Sequence, residues 1–317
     1  MHRRDFLNLA PAAGLATLAG TAPARAHEGA PGGLPGAQAR MVGDISVTTI
    51  SDGGIALGHD PLIGIEKSEY DAIMRAAFRN PDGFRSGVNA FLIRTGDAVI
   101  LVDAGTGGAF GPAVDNLPAN LAATGTAPDD ITHIVATHMH PDHVGGMAGD
   151  GGATFANAEL VVHETERAFW SDDGNFAGAG KMMQGFAAAA QGVLAAYGDR
   201  LRTFSADAEI APGVTAMPLP GHTPGHSGLR IASGDDVLLI WADIVHVAPV
   251  QLARPGVAIG FDVDPELAIA TRRGLLDQVA TDGVRVAGSH IQFPGVVNIV
   301  RDGEGYRAIA APYDYDA

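Results

Sequence analysis

The 317-residue sequence contains no cysteine. That absence excludes disulfides, thiolate catalysis and every metal site built on a cysteine ligand. Positive charge is also scarce: 20 Lys and Arg stand against 36 Asp and Glu, for a formal net charge of −16. No basic run occurs beyond the first few residues, and a surface of that sign repels phosphate backbones, so no nucleic-acid partner is expected. Nor does any apolar run reach the ~20 residues that a membrane-spanning helix needs. No solenoid-period repeat and no splitting linker is visible. What remains is 46% hydrophobic and only 18% charged, which rules out a disordered chain and supplies a large core. Glycine is plentiful, with 43 residues, about twice the usual share of roughly 7%. Many tight turns and close backbone approaches follow.

Residues 1–26 read as an address. Arg3-Arg4 before Asp5-Phe6-Leu7 resembles a twin-arginine export signal, with a weakly apolar stretch from Leu7 to Gly20 and a small-x-small cleavage site at Ala24-Arg25-Ala26. A periplasmic or secreted protein beginning near His27 is expected, with a flexible arm over 27–40 and one domain over 41–317. Changing Arg3-Arg4 to Lys-Lys is expected to strand the precursor in the cytoplasm; unchanged export, followed by cell fractionation, would refute the signal.

From Val42 onward, short β-like runs alternate with helical patterns, the signature of an α/β fold. Strands are expected over Ile45–Ile50, Asn89–Arg94, Ala98–Val102, Ile131–Thr137, Glu159–His163, Val214–Leu219, Leu229–Ala232, Val237–Trp241, Val284–Ala287, Val296–Val300 and Tyr306–Ala310. Helices are expected over Glu66–Phe78, Pro112–Ala123 (interrupted at Pro118), Glu164–Asp172 and Lys181–Tyr197. A last helix opens at Asp264-Pro265, an N-cap followed by proline at the first helical position, and runs to about Ala280.

The strand ends carry the chemistry. Ile131–Thr137 runs into His138-Met139-His140-Pro141-Asp142-His143, Val214–Leu219 into Pro220-Gly221-His222, Val237–Trp241 into Ala242-Asp243, and Val284–Ala287 into Gly288-Ser289-His290. Ligands of open α/β sheets bind at the carboxyl ends of strands, so four strand ends aim seven metal-competent side chains at one region. The pattern H-x-H-x-D-H over 138–143 arises by chance on the order of once in a thousand such chains. Neutral imidazoles and carboxylates are the ligands Zn²⁺ accepts when no thiolate exists. Gly145-Gly146 permits tight packing directly behind the motif.

H-x-H-x-D-H is identified as the mark of the metallo-β-lactamase-fold superfamily, and the further landmarks follow in order: His222 in PGHTPGHS, Asp243 in WADIVH and His290 in AGSH. The resemblance covers roughly Val42 to the C-terminus. It implies an αββα sandwich, two mixed β-sheets flanked by helices. By residue-for-residue match it implies a first metal on His138, His140 and His222, a second on Asp142, His143 and His290, and Asp243 bridging them. Asp142 and Asp243 are the carboxylates assigned to catalysis. Two divalent ions per chain are expected, zinc first, with Mn, Fe or Co able to use the same ligands. A hydroxide shared by the two ions is the implied nucleophile.

GTGGAFGP, WADIVHVAPVQ and SHIQFPGVVNI…GYR resemble the methyl parathion hydrolase branch. That branch implies an exported homodimer acting on small neutral esters, lactones or phosphotriesters. At position 246, lactonases that open acyl-homoserine lactones carry Tyr, whereas this chain has His246. His246, Phe110 and Trp170 are the candidate substrate contacts. His226 is expected to hydrogen-bond near the metals, Asp103 in LVDAGTG to orient a ligand, and Asp52 in ISDGG to do the same; His133 reads as structural. The rival readings are a hydroxyacylglutathione-hydrolase-like thioesterase, a β-lactamase, a mononuclear-iron persulfide dioxygenase and a non-catalytic metal-binding protein.

Overall fold

Alternation along two neighbouring strands dictates the layering. Leu92 and Leu101 face one side with Ala90, whereas Phe91, Ile93, Ile100 and Val102 face the other, and all are buried. A strand buried on both faces must lie between two layers. The computed structural model describes residues 36–111 and 113–315. Within them are two seven-stranded mixed sheets, each with its strands in chain order.

The first sheet comprises β1 (Ala37–Val42), β2 (Ile45–Ala56), β3 (Arg85–Thr95), β4 (Ala98–Val102), β5 (His133–Val135), β6 (Glu159–His163) and β7 (Leu201–Phe204). Its β1–β4 part is antiparallel and its β4–β7 part parallel. The second comprises β8 (Ala208–Ala211), β9 (Val214–Pro218), β10 (Ser227–Ser233), β11 (Asp236–Ala242), β12 (Arg285–Gly288), β13 (Val296–Asp302) and β14 (Gly305–Ala310). Only β11 and β12 are parallel there.

Seven helices connect these strands among the described residues: α1 (Lys67–Ala76), α2 (Leu117–Ala123), α3 (Pro141–Val144), α4 (Glu164–Ser171), α5 (Lys181–Tyr197), α6 (Ala248–Ala253) and α7 (Pro265–Asp282). The outer face of the first sheet packs on α2, α4 and α5 through Leu117, Leu121, Trp170, Ala190 and Val193. The outer face of the second packs on α7 through Leu275, Leu276 and Val279. Between the sheets lie Val47, Phe91, Ile100, Val102, Leu229, Ile231, Leu238 and Ile240. The layers are therefore helix, sheet, sheet, helix: the expected αββα sandwich.

Three expectations about elements change. Residues 37–40, assigned to a flexible arm, belong to β1 and pair with β2 from Ala37↔Ile50 to Val42↔Ile45; the export signal and residues 27–35 lie outside the described residues. The helix expected from Pro112 begins only at Leu117, with Pro118 in its first turn, where the missing N–H is no loss. Val114 instead bridges to Gly53. The strand expected over Ile131–Thr137 shortens to β5, because the Thr137 N–H leaves the ladder and donates to Asp103 Oδ1 at 3.0 Å.

Candidate metal centre

Parallel pairing puts the ends of β4 and β5, and those of β11 and β12, at one edge of the sandwich. Two of those ends turn through residues in the left-handed region without being glycine: Asp103 after β4 (φ 59°) and Ala242 closing β11 (φ 49°). Such backbone costs of order 1–3 kcal/mol and persists only where surrounding structure holds it. Here Asp103 is held by the Thr137 N–H and hydroxyl, and Asp243 follows Ala242 directly into the site. Behind H-x-H-x-D-H, a Cβ on Gly145 would lie 2.2 Å from the Thr106 carbonyl oxygen, and one on Gly146 would lie 2.1 Å from that of Ala104. Only glycine permits that approach.

All seven expected side chains converge. His138 Nε2 and His222 Nε2 lie 3.1 and 3.0 Å from His140 Nδ1. Asp142 Oδ2 stands 3.6 Å from His143 Nε2 and 3.4 Å from His290 Nε2. Asp243 Oδ2 stands between the two groups, 3.1–3.7 Å from Nε2 of His138, His143, His222, His246 and His290. One carboxylate oxygen cannot accept hydrogen bonds from five donors.

The outer nitrogens explain what those inner ones are for. His143 Nδ1 donates to Asp103 Oδ2 at 2.8 Å, His222 Nδ1 to Asp262 Oδ1 at 2.8 Å, and His290 Nδ1 to the Gly87 carbonyl at 2.7 Å. The Thr137 hydroxyl spends its proton on Asp103, so toward His138 Nδ1, 3.1 Å away, it can only accept. These partners fix the tautomers and leave bare lone pairs on the inward nitrogens. Among the described residues, His143 Nε2 and Asp243 Oδ1, which face the cluster, are buried without a hydrogen-bond partner. Lone pairs and carboxylates packed this closely repel one another unless cations lie among them. The donor set fits two: His138, His140 and His222 in one group, Asp142, His143 and His290 in another, with Asp243 touching both.

Electrostatics points the same way. Burial alone would raise Asp243, yet His143, His290 and His138 hold it well below the carboxylate range. Burial alone would lower His290, yet Asp243 and Asp142 carry it up to about 10. A site that draws a proton so strongly draws a metal cation by the same field.

The other expectations divide. His226 Nδ1 donates to the Leu219 carbonyl at 2.8 Å, and its Nε2 accepts the Asp243 N–H at 3.1 Å, so it positions Asp243 as expected. Asp103 orients His143 as expected. Asp52 does not orient a ligand: it accepts from the Thr106 N–H and hydroxyl and from the Leu117 N–H, bracing the loop after β4. His133 sits in β5 beside the Thr132 hydroxyl.

A cavity of about 150 Å³ opens over the centre, lined by Ile55, Leu57, Phe110, Phe186, Phe261 and His246 beside the ligands. Phe110 and His246 thus stand where substrate contacts were expected. Trp170 does not. It is fully buried in the core of the first sheet, with its indole N–H on Glu166 Oε1 and its ring stacked on Phe176. Its edge only touches the back of His140. His246 has both ring nitrogens buried without a hydrogen-bond partner; its Nε2 is 3.1 Å from Asp243 but out of hydrogen-bond alignment. Burial holds its imidazole down, to about 4, so it is neutral at pH 7. A larger apolar cavity of about 450 Å³ beside α2 contains none of the seven ligands. Size alone does not mark the site.

Sequence reasoning missed Glu166 and Asp262. Glu166 lies on the apolar stripe of α4, four residues before Trp170, and a carboxylate on a buried stripe is the signal that could have found it. Asp262 lies in a loop and carries no local signal.

Comparison with known proteins agrees with the geometry. A family model described as Metallo-beta-lactamase superfamily matches residues 83–290. N-acyl homoserine lactonase AiiB of Agrobacterium fabrum is 29% identical over 168 residues, 45% of this chain and 57% of that protein. N-acyl homoserine lactonase AiiA of Bacillus thuringiensis subsp. kurstaki is 29% identical over 164 residues, 50% of this chain and 55% of that protein. The chain thus spans little more than half the length of these curated relatives. Among solved structures, a hydrolase AbOPH in the beta lactamase superfamily superimposes with a TM-score of 0.83 at 30% identity, covering 89% of this chain and 99% of that one. AidC, a dizinc quorum-quenching lactonase in complex with a product, superimposes at 0.81 with 26% identity, covering 88% and 98%.

Proposed function

This chain belongs to the metallo-beta-lactamase superfamily, and from that premise we propose that it is a dinuclear metal-dependent hydrolase of small neutral lactones and aryl esters, with phosphotriesters as a second substrate class. His138, His140 and His222 would hold one ion, Asp142, His143 and His290 the other, and Asp243 both. Divalent ions there supply a Lewis acid for the substrate oxygen and make a coordinated water acidic enough to be a nucleophile at neutral pH. Zinc suits the imidazole and carboxylate set.

The chain's own residues select the substrate. Ile55, Leu57, Phe110, Phe186 and Phe261 wall the cavity with apolar surface, which excludes water and seats an acyl or aryl group. Among the described residues, no Lys or Arg lines it. That single observation favours a neutral ester over a β-lactam or a glutathione thioester, whose carboxylates would meet two acidic side chains and no fixed cationic side chain. Nor does any described hydroxyl, thiol or amine side chain line the cavity, so its wall offers no such nucleophile for an acyl-enzyme and the acyl group passes to water. His246, neutral and unpartnered on the wall, can hydrogen-bond a substrate oxygen. The lactonases similar in sequence and the dizinc lactonase similar in structure support this reading.

The experiment is a substrate panel run on protein stripped with chelator and on the same protein restored with zinc. N-acyl lactones, aryl acetates and phosphotriesters are expected to be hydrolysed only after restoration, and a β-lactam and a glutathione thioester at least 10²-fold less well. Preference for the anionic substrates, or rates indifferent to chelation, would refute the proposal.

A further inference from the structure

Glu166 has no place among the metal ligands, yet few side chains here are more completely engaged. It is fully buried, and both carboxylate oxygens accept two hydrogen bonds each. Oε1 takes the Met139 N–H at 2.9 Å and the Trp170 indole N–H at 2.7 Å. Oε2 takes the Thr223 hydroxyl at 2.7 Å and the Gly225 N–H at 2.9 Å. Met139 is the residue between His138 and His140. Thr223 follows His222 directly. The two loops come from different sheets, one after β5 and one after β9, and meet directly at their far ends through the Ser227 N–H on the Thr137 carbonyl at 2.9 Å.

We infer that Glu166 is the positioning residue of the first metal group, fixing the triangle of His138, His140 and His222 by clamping their two loops to one carboxylate. The backbone supports this: a Cβ on Gly225 would lie 2.3 Å from the Glu166 nitrogen, so the His222 loop rests directly on the first turn of α4. Burial pushes the Glu166 carboxyl up, but four donors oppose it, and each of them needs a lone pair that only a carboxylate can supply in full. Thr137 and Asp262 orient the His138 and His222 rings but do not tie one loop to the other, and the second group rests on Asp103 for His143 and the Gly87 carbonyl for His290, neither of which Glu166 touches. Loss of Glu166 therefore loosens one ion and not the other. Outer-sphere partners of metal ligands are typically worth 10–100-fold in affinity.

The inference rests on the proposal that His138, His140 and His222 hold a cation, and the test separates the two. Glu166→Gln has a single oxygen; whichever way the amide turns, its NH₂ faces a backbone N–H, so one loop loses its anchor. Competition of the zinc-loaded full chain against a chromogenic chelator is expected to show one ion weakened roughly 10–100-fold and the other unchanged. The cobalt-substituted variant should show altered visible bands for one ion only. Thr223→Val removes a single donor and should weaken the same ion by a smaller factor, which decides the matter if Glu166→Gln does not fold. Wild-type affinities and cobalt spectra in both Glu166→Gln and Thr223→Val, or in the latter alone if only it folds, would overturn the inference. A wild-type chain that binds no metal would overturn the underlying proposal instead.

Discussion

Asp243→Ala is expected to release at least one of two bound ions and to lower hydrolysis by more than the roughly 10²-fold typical of outer-sphere changes. Its Oδ2 is the one atom within 3.1–3.7 Å of five ring nitrogens drawn from both groups. Removing it takes away the anion that the two proposed cations would share, so their mutual repulsion would no longer be relieved. It also removes the charge that draws His143 and His290 toward the site. The fold should survive, since the His226 ring accepts the backbone N–H of residue 243, not its side chain. Metal analysis after dialysis, with initial rates on an aryl ester, measures the effect. Two ions retained with normal turnover would sink the dinuclear assignment.

Arg272→Met should give the largest loss of stability away from the metals. Arg272 lies on α7 and is 1% exposed. Its guanidinium donates to the carbonyls of Ile244, Pro255 and Val257, at 2.6, 3.1 and 2.7 Å. Burial lowers it to about 10, so it stays charged at pH 7. Two of these carbonyls, Ile244 and Pro255, have this one side chain as donor, while that of Val257 also accepts from the Gln251 amide at 3.2 Å; all lie in the segment after β11, which carries His246. Methionine fills the volume and donates nothing. Each abandoned buried carbonyl costs about 1–3 kcal/mol, so a total of about 2–6 kcal/mol is expected for the two. At this chain length that is a fall in melting temperature on the order of 10 °C. Thermal unfolding followed by circular dichroism checks it, and a loss below about 1 kcal/mol would show that water replaces the guanidinium.

How much could be read before folding differs residue by residue. His138, His140, Asp142 and His143 declare themselves because four ligands fall within six positions. His222, Asp243 and His290 follow because each ends an apolar strand, and strand ends of such sheets gather at one edge. The helices over Lys67–Ala76 and Lys181–Tyr197 are legible from their residue pattern, and that over Pro265–Asp282 from its Asp264 cap and the proline after it. Asp52 and Asp103 look alike in sequence, each an acid before a glycine-rich turn, and only folding gives one a histidine and the other two backbone N–H groups. Trp170 was misplaced for a related reason: an aromatic facing a cavity and one facing a core leave the same trace.

The sequence alone therefore determined an α/β fold, the site's chemical type and the seven metal-competent side chains at four strand ends. Those depend on local period and short spacing, which a chain carries in itself. Tertiary structure decided the distances among them, the tautomers set by Asp103, Asp262 and Gly87, the clamp at Glu166 and the absence of any Lys or Arg from the cavity wall. Each of these is a contact between residues tens to hundreds of positions apart, and such contacts arise only when two sheets stack and their strand ends meet.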